Sequence, residues 1–245
     1  MKRFFRMYMV EQRLFFRSPD VIVFNLLMPL VALMLIAMIA GGQPCDPSGL
    51  TFLESASVAL TTVGVCCSAL MSIPIIMVEY RAQGVLRRMY CSPCPPARLL
   101  MCDTIASGVM AALSALLVML ASTLLLGYRM AGSALAFAGV WLITMAAMFS
   151  IGLMVASLCR TTRSMNVVTS LLYFPMLLFS GASIPLEVFP APLRAIGGWT
   201  PLGVGIRLLK SVSLGCYNDL FPQLLCLIAI AAVCTTVAVK TFRWE

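Results

Sequence analysis

Residues 104–127 read TIASGVMAALSALLVMLASTLLLG, twenty-four positions without one Asp, Glu, Lys or Arg. A membrane-spanning helix needs about 20 predominantly apolar residues, and this stretch has that length. Ser107, Ser114, Ser122 and Thr123 are spread along it, and small, weakly polar residues of this kind let helices pack closely in a bilayer. Outward from it lie five more charge-free stretches, at residues 21–40, 55–78, 133–158, 165–184 and 220–239. The expectation is an all-α integral membrane protein with six transmembrane helices, some crossing about 30 Å of hydrocarbon only with tilt. Little chain remains for a separate soluble domain.

Composition points the same way. Of 245 residues, 61% are hydrophobic and 11% charged, and a soluble chain so apolar could not cover its surface. Histidine is absent, which removes serine–histidine triads, histidine-ligated zinc and histidine acid–base chemistry. The net charge of +8 would suggest nucleic acid in a soluble protein, but its placement gives it another role. Six spans put both termini on one side with Lys2, Arg3, Arg6, Arg13, Arg17, Arg81, Arg87, Arg88, Arg98, Arg160, Arg163, Lys240 and Arg243. The other side keeps Arg129, Arg194, Arg207 and Lys210. By the positive-inside rule both termini are cytoplasmic. The first apolar run reads as an anchor rather than a cleaved signal.

Ten cysteines do not form a disulfide framework. Cys66, Cys67, Cys226 and Cys234 fall within spans, and Cys91, Cys94, Cys102 and Cys159 on or near the cytoplasmic side. Cys45 and Cys216 are the pair left outside, where one bridge is compatible with their placement but not fixed by it. Cys91-Ser92-Pro93-Cys94 is a lone CxxC without the further ligands a closed zinc site requires, and no metal site is expected.

Three segments between spans carry more information. In Met1–Arg17 the basic residues gather on one arc and Phe4, Phe5, Tyr8, Phe15 and Phe16 on the facing one, the pattern of an amphipathic helix lying in the membrane surface. Ser18-Pro19-Asp20 stops it and starts the next helix. From Glu79 to Tyr90 the chain suits a short helix with Arg87 and Arg88 exposed, ended by Pro93, Pro95 and Pro96, and composition alone fits equally well an ordinary loop whose charges set topology. Asp103 stands at the inner mouth of the third span with Glu79 and Arg81 opposite, an arrangement compatible with an ion pair to Arg81. The third and fourth spans, joined by Tyr128–Gly132, are expected to form a tight antiparallel pair. Residues 180–219 are apolar yet cut by Pro185, Pro190, Pro192, Gly197, Gly198 and Pro201. Two short helices dipping into the outer leaflet account for both properties. Within the spans, Asn25 and Pro29 are irregularities that should face other helices, and Pro74 should kink the second span.

No phosphate-binding loop is present, because Lys210-Ser211 and Lys240-Thr241 follow Leu209 and Val239 rather than glycine. ATP dependence would have to come from a partner.

Taken in order, these features resemble the permease subunits of ABC type 2 exporters, in the branch that exports drugs and polysaccharides. The resemblance spans nearly the whole chain. It rests on the basic amphipathic start, on Glu79-x-Arg81-x-x-Gly84 with Arg87-Arg88 and Pro93, and on Phe174-Pro175 leading to Ser180-Gly181. Pro185-x-Glu187, Leu193 and Pro201 complete it. It implies one ABC type 2 transmembrane domain over residues 1–245, in a bacterial cytoplasmic membrane. Residues 1–17 would be the connecting helix, 79–98 the cytoplasmic coupling helix and turn, and 185–215 the external re-entrant helices. Glu79, Arg81, Gly84, Arg87 and Arg88 would then meet the ATPase. Asn25, Pro29, Phe174, Ser180, Gly181 and Glu187 would be pathway or gate residues.

The resemblance further implies separate ABC ATPase subunits that hold ATP and Mg, a second permease copy of the same or a different kind, and contact with membrane lipids but not nucleic acid. This chain would be no enzyme and would carry no cofactor. With short external loops and no evident aromatic glycan track, export of a hydrophobic or amphipathic small molecule (drug, antibiotic, peptide or lipid) is the leading expectation. A lipid-linked polysaccharide is the second. An ATP-independent channel or a membrane-embedded enzyme stands as the contrasting class.

Overall fold

The computed structural model describes residues 2–40, 52–85, 96–128, 130–159, 161–181, 197–216 and 220–241, and every regular element among them is helical. Helix α1 is Lys2–Arg17. At Ser18 the chain breaks, with backbone amide and hydroxyl both donating to the Leu14 carbonyl. Pro19, pre-set for a first helical turn, opens α2, residues 19–40, which includes a π-helical turn at Val23–Leu27. The remaining helices are α3 (Phe52–Ala82), α4 (Pro96–Leu126), α5 (Ala134–Leu158), α6 (Thr162–Phe179), α7 (Pro201–Ser213) and α8 (Leu220–Thr241).

Four of these are long and apolar enough to cross a membrane: Phe52–Ala82, Arg98–Leu126, Ala134–Leu158 and Leu220–Thr241. The other two charge-free stretches form helices that fall short of that measure. In α2 the apolar part is Val23–Ile39. In α6, 18 residues long, the first turns are spent on Thr162, Arg163, Ser164 and Asn166. The six stretches thus resolve into four full-length candidates and two shorter helices.

Helix α4 shows which solvent the bundle is built for. Its inward stripe is Cys102, Asp103, Ala106, Ser107, Met110, Ala111, Ser114, Val118 and Ser122, at three- and four-residue spacing, while Met101, Ile105, Val109, Leu116, Leu120 and Leu124 face outward. Small and hydroxyl-bearing residues are inside and large aliphatics outside. In water this arrangement would forfeit the hydrophobic effect; in a bilayer, lipid tails accept the leucines and close packing holds the small residues together. Such hydroxyls return to their own helices: Ser122 donates to Met119 O, Thr144 to Val140 O and Thr169 to Met165 O.

Helix α3 is the centre. Of its most apolar stretch 83% is buried, against 11% for α8, so α3 is sheathed by its neighbours and α8 lies at the rim. The expected tight pairing of α4 with α5 is not the arrangement found. Their link is drawn aside to α7, with the Gly132 amide donating to Ser213 O at 3.0 Å. Helix α5 instead runs along α8 and α7 and presses on α3, meeting α4 through Met145 and Phe149 beside Gly108.

A side chain at Gly152 of α5 would overlap the Ala69 carbonyl oxygen of α3, so this crossing depends on glycine. Gly152→Ala is expected to destabilise the fold by about 1–3 kcal/mol, the usual cost of overfilling a packed site. Gly139→Ala, on the same helix with nothing within 4 Å, should leave thermal unfolding in detergent unchanged.

Candidate functional site

Pro29 and Pro74 each stand two residues beyond a π-helical turn, Val23–Leu27 and Ser68–Ser72 respectively. A proline within a helix offers no amide to the carbonyl four residues back, and its ring crowds that carbonyl. A widened turn just before it relieves the crowding. The carbonyl that Pro29 leaves without its usual donor is that of Asn25, and the Ser114 hydroxyl of α4 donates to it instead. The Asn25 side chain closes the other side. Its Nδ2 donates to Ser68 Oγ at 3.0 Å, and Ser68 Oγ lies 3.2 Å from Asn25 Oδ1. Asn25, Ser68 and Ser114 are all buried. The two π turns therefore face one another across a three-helix polar junction. Asn25 and Pro29 turn inward as expected; Ser68 and Ser114 are the partners that sequence reading missed.

Higher on α3 the helix breaks again at Thr61 and Thr62, whose hydroxyls donate back to Val58 O and Ala59 O at 2.7 Å. The Trp141 indole of α5 donates to the Thr61 carbonyl at 3.2 Å. Both irregularities of the central helix are held from outside by a side chain of a neighbour.

A second cluster lies where α1 meets the end of α3. The last turn of α3 sends successive residues in different directions. The Tyr80 hydroxyl donates to the Glu11 carboxylate of α1, 2.9 Å from each oxygen. Arg81 Nη1 donates to the carbonyls of Ala156 (3.3 Å) and Cys159 (3.1 Å), placing a cation at the C-terminal end of α5, where helix carbonyls and dipole both favour one. This replaces the expected pairing of Arg81 with Asp103. The Asp103 carboxylate is fully buried in α4 and its oxygens have no hydrogen-bond partner among the described residues. Gln12 fastens α1 to the same helix, donating to Ala106 O at 3.2 Å. Phe15 packs beside it against Ala106 and Met110. Helix α1 thus buries a mixed face including Glu11 and Gln12, while Phe5 and Phe16 stay exposed.

The segment expected as a separate short helix from Glu79 begins differently. Residues 79–82 continue α3, and Gly84, at φ 65°, ends it in the left-handed conformation that glycine adopts freely. The Gln83 and Gly84 amides close the cap on Glu79 O and Arg81 O. Arg87, Arg88, Cys91 and Cys94 lie outside the described residues.

At the opposite end of the bundle, α6 carries Phe174 exposed and Ser180 buried, and Gly181 follows at φ 83°. Helix α7, capped by the Thr200 hydroxyl on the Gly203 amide at 3.1 Å, is short and buries most of its length. Its 13 residues rise roughly 20 Å, too little to cross a bilayer. Cys216 is exposed just beyond it, while Cys45 and Glu187 lie outside the described residues.

The helical bundle of the described residues, with lipid-compatible outer faces and prolines within its central helices, has the character of a polytopic membrane protein. The chain belongs to the ABC-2 type transporter family, which it matches over residues 2–214. It is also 26% identical over 144 residues to a Bacillus subtilis (strain 168) protein described as "Putative transport permease YvfS", a match covering 58% of each chain. The chain therefore aligns with about three-fifths of that relative's length.

Two outcomes follow from this geometry. In a double-mutant cycle of Asn25→Ala and Ser68→Ala, thermal stability in detergent should show a coupling of about 0.6–1.7 kcal/mol, the range for hydrogen bonds between membrane helices; strictly additive losses would show that the pair does not hold the π turns together. Burial pushes the Glu11 carboxyl above its ordinary value of 4.5, and the Tyr80 hydrogen bond works against that rise. A carboxyl raised in the folded state binds its proton more tightly there than when unfolded. Its contribution to stability is therefore greatest below pH 4.5 and declines as pH climbs through the raised value. Glu11→Gln, which keeps an acceptor for Tyr80, should flatten that decline in melting curves recorded across the acid-to-neutral range.

Proposed function

We propose that this chain is the membrane-spanning subunit of an ATP-driven exporter that moves a hydrophobic or amphipathic small molecule out of the cytoplasm or the inner leaflet. The single observation that carries the reading is the family match over residues 2–214. The supporting chemistry is the lack of a phosphate-binding loop in a chain whose central helices are built for rearrangement. The chain works with two separate ABC ATPase subunits, which bind ATP and Mg, and with a second permease copy. Six helices cross the bacterial cytoplasmic membrane: α2, α3, α4, α5, α6 and α8. Both termini face the cytoplasm, and α7 is one arm of an external re-entrant pair.

The last turn of α3 suits a lever. Residues 79–98 seat on the ATPase, and a displacement there pulls on α1 through Tyr80–Glu11 and on α5 through Arg81. Helix α3 stays regular to Ala82 and ends at the left-handed Gly84, so the Tyr80 and Arg81 contacts stand on its last rigid turn. Movement of α3 would be taken up at the facing π turns, where hydrogen bonds can change register at modest cost, with Phe174, Ser180, Gly181 and Glu187 near the outer exit.

Affinity-tagged permease co-expressed with its ATPase should retain that subunit on purification. Recovery without any P-loop ATPase would remove the exporter reading and favour an ATP-independent channel. Charge reversal at Arg87 and Arg88 to Glu should abolish ATP-driven transport while membrane insertion persists. Arg81→Ala should lower transport while ATPase binding is kept; transport unchanged by both sets of variants would remove the coupling role of this segment.

A further inference from the structure

A cavity of about 540 Å³ opens between α1, the start of α2 and the second half of α3. That is within the size range of small-molecule sites. Its wall is apolar along Leu14, Phe15, Phe24, Met71, Ile75 and Ile76. At one end stand Glu11, Glu79 and Tyr80, with Glu11 buried and Glu79 exposed. No lysine or arginine lines it among the described residues. Arg81, the neighbouring cation on α3, directs Nη1 to the carbonyls that end α5. The lining runs along α3 from Cys67 to Tyr80, roughly 20 Å of helix, with both acids and the phenol gathered at the Tyr80 end.

We infer that this cavity is a binding site for a lipophilic cation, an apolar or aromatic body bearing one protonated amine or quaternary ammonium, and that it receives such molecules as cargo for export. The ammonium sits between the Glu11 and Glu79 carboxylates at the membrane boundary. The body lies along α3 toward the bilayer interior, against Phe15, Phe24, Met71 and Ile75. Aromatic faces beside the carboxylates add cation–π attraction, and a desolvated carboxylate discriminates strongly by charge because an anion or a neutral isostere leaves it without a counter-ion. Tyr80 holds the Glu11 carboxylate in place, so the acceptor is positioned before the ligand arrives. The assignment rests on the exporter reading for its cargo role, but the site itself is defined by the permease alone.

Binding is therefore measured on purified permease in nanodiscs, without ATPase or nucleotide, so that failure of binding is distinct from failure of transport coupling. The probe is rhodamine 6G, with a carboxylate-bearing rhodamine of similar body and no net positive charge as comparator. The cation should bind at least tenfold more tightly than the comparator. Glu11→Gln should weaken the cation by about 10- to 100-fold, the range for loss of one charge-assisted contact, and Glu79→Gln by less because it is exposed. The comparator should respond to neither. Equal affinity for both dyes, or cation binding indifferent to both substitutions, would overturn the site.

Native mass spectrometry of the same samples reads the other occupants. If phosphatidylethanolamine nanodiscs fill the site and exclude the dye where phosphatidylglycerol nanodiscs do not, the occupant is a resident lipid. If the dye is bound by monomer but never by dimer, the groove belongs to a second copy. Either result would overturn the cargo assignment, while dye bound to the dimer in both lipids would support it.

Discussion

In the central helices α2 and α3, the backbone carbonyls of Asn25 and Leu70 face a proline ring where an ordinary helix would present them an amide. In water the loss is made good by solvent. Within a bilayer it must be made good by protein, because an unsatisfied peptide group there costs several kcal/mol. The centre of the bundle is arranged around that constraint. Helices α2 and α3 widen into π turns just ahead of Pro29 and Pro74, the widened turns are set against each other through Asn25 and Ser68, and α4 supplies the Ser114 hydroxyl. On the other side of α3, α5 approaches closely enough for Gly152 to touch the Ala69 backbone within the second π turn. Helix α3 is thus gripped where its own hydrogen bonding is least regular.

The same helix also gathers the ends of the bundle. Its last turn holds α1 by a phenol–carboxylate bond and α5 by a guanidinium on helix-terminal carbonyls, and its upper break is held by the Trp141 indole. A helix so fixed at its ends and so irregular at its middle is suited to discrete rearrangement rather than continuous bending, since its polar contacts can be exchanged as a set. That suits a transporter that must pass between discrete arrangements.

Much of this was legible in the sequence, and the rest failed for physical reasons. Stretches without charge located the four helices long and apolar enough to cross a membrane, because the exclusion of charge from hydrocarbon acts on each residue independently. Asn25 and Pro29 could be assigned to a helix-facing side on the same ground. The partners Ser68 and Ser114 could not, since a chain with this many membrane serines gives no sign of which one a given asparagine meets; the two-residue offset of each proline from its π turn is the one local trace. The pairing of α4 with α5 was inferred from a short link, but a short link limits distance between ends and says nothing about which helix competes for the flank. Glu11 and Gln12 share the aromatic arc of the α1 wheel, but two polar residues on that arc give no sign of a partner, and it is the docking of α1 on α3 and α4 that supplies Tyr80 and the Ala106 carbonyl. The same docking, with the extension of α3 through Arg81, explains why the expected Arg81–Asp103 pair gave way to a cap on α5.

The burial of α3 also bears on how the protein is made. During synthesis α3 leaves the ribosome before α4, α5, α7 and α8 exist, so its inward residues Ser55, Ser57, Thr61, Thr62, Ser68 and Ser72 first meet lipid or the insertion machinery. Its mean hydropathy of 2.0 is ample for entry into the bilayer. Its permanent sheath arrives only when the C-terminal half has been translated. A chain truncated after α4 would keep the α2 and α4 contacts at Ser68 and Gly64 but would leave the face of α3 that α5 and α7 cover turned to the membrane.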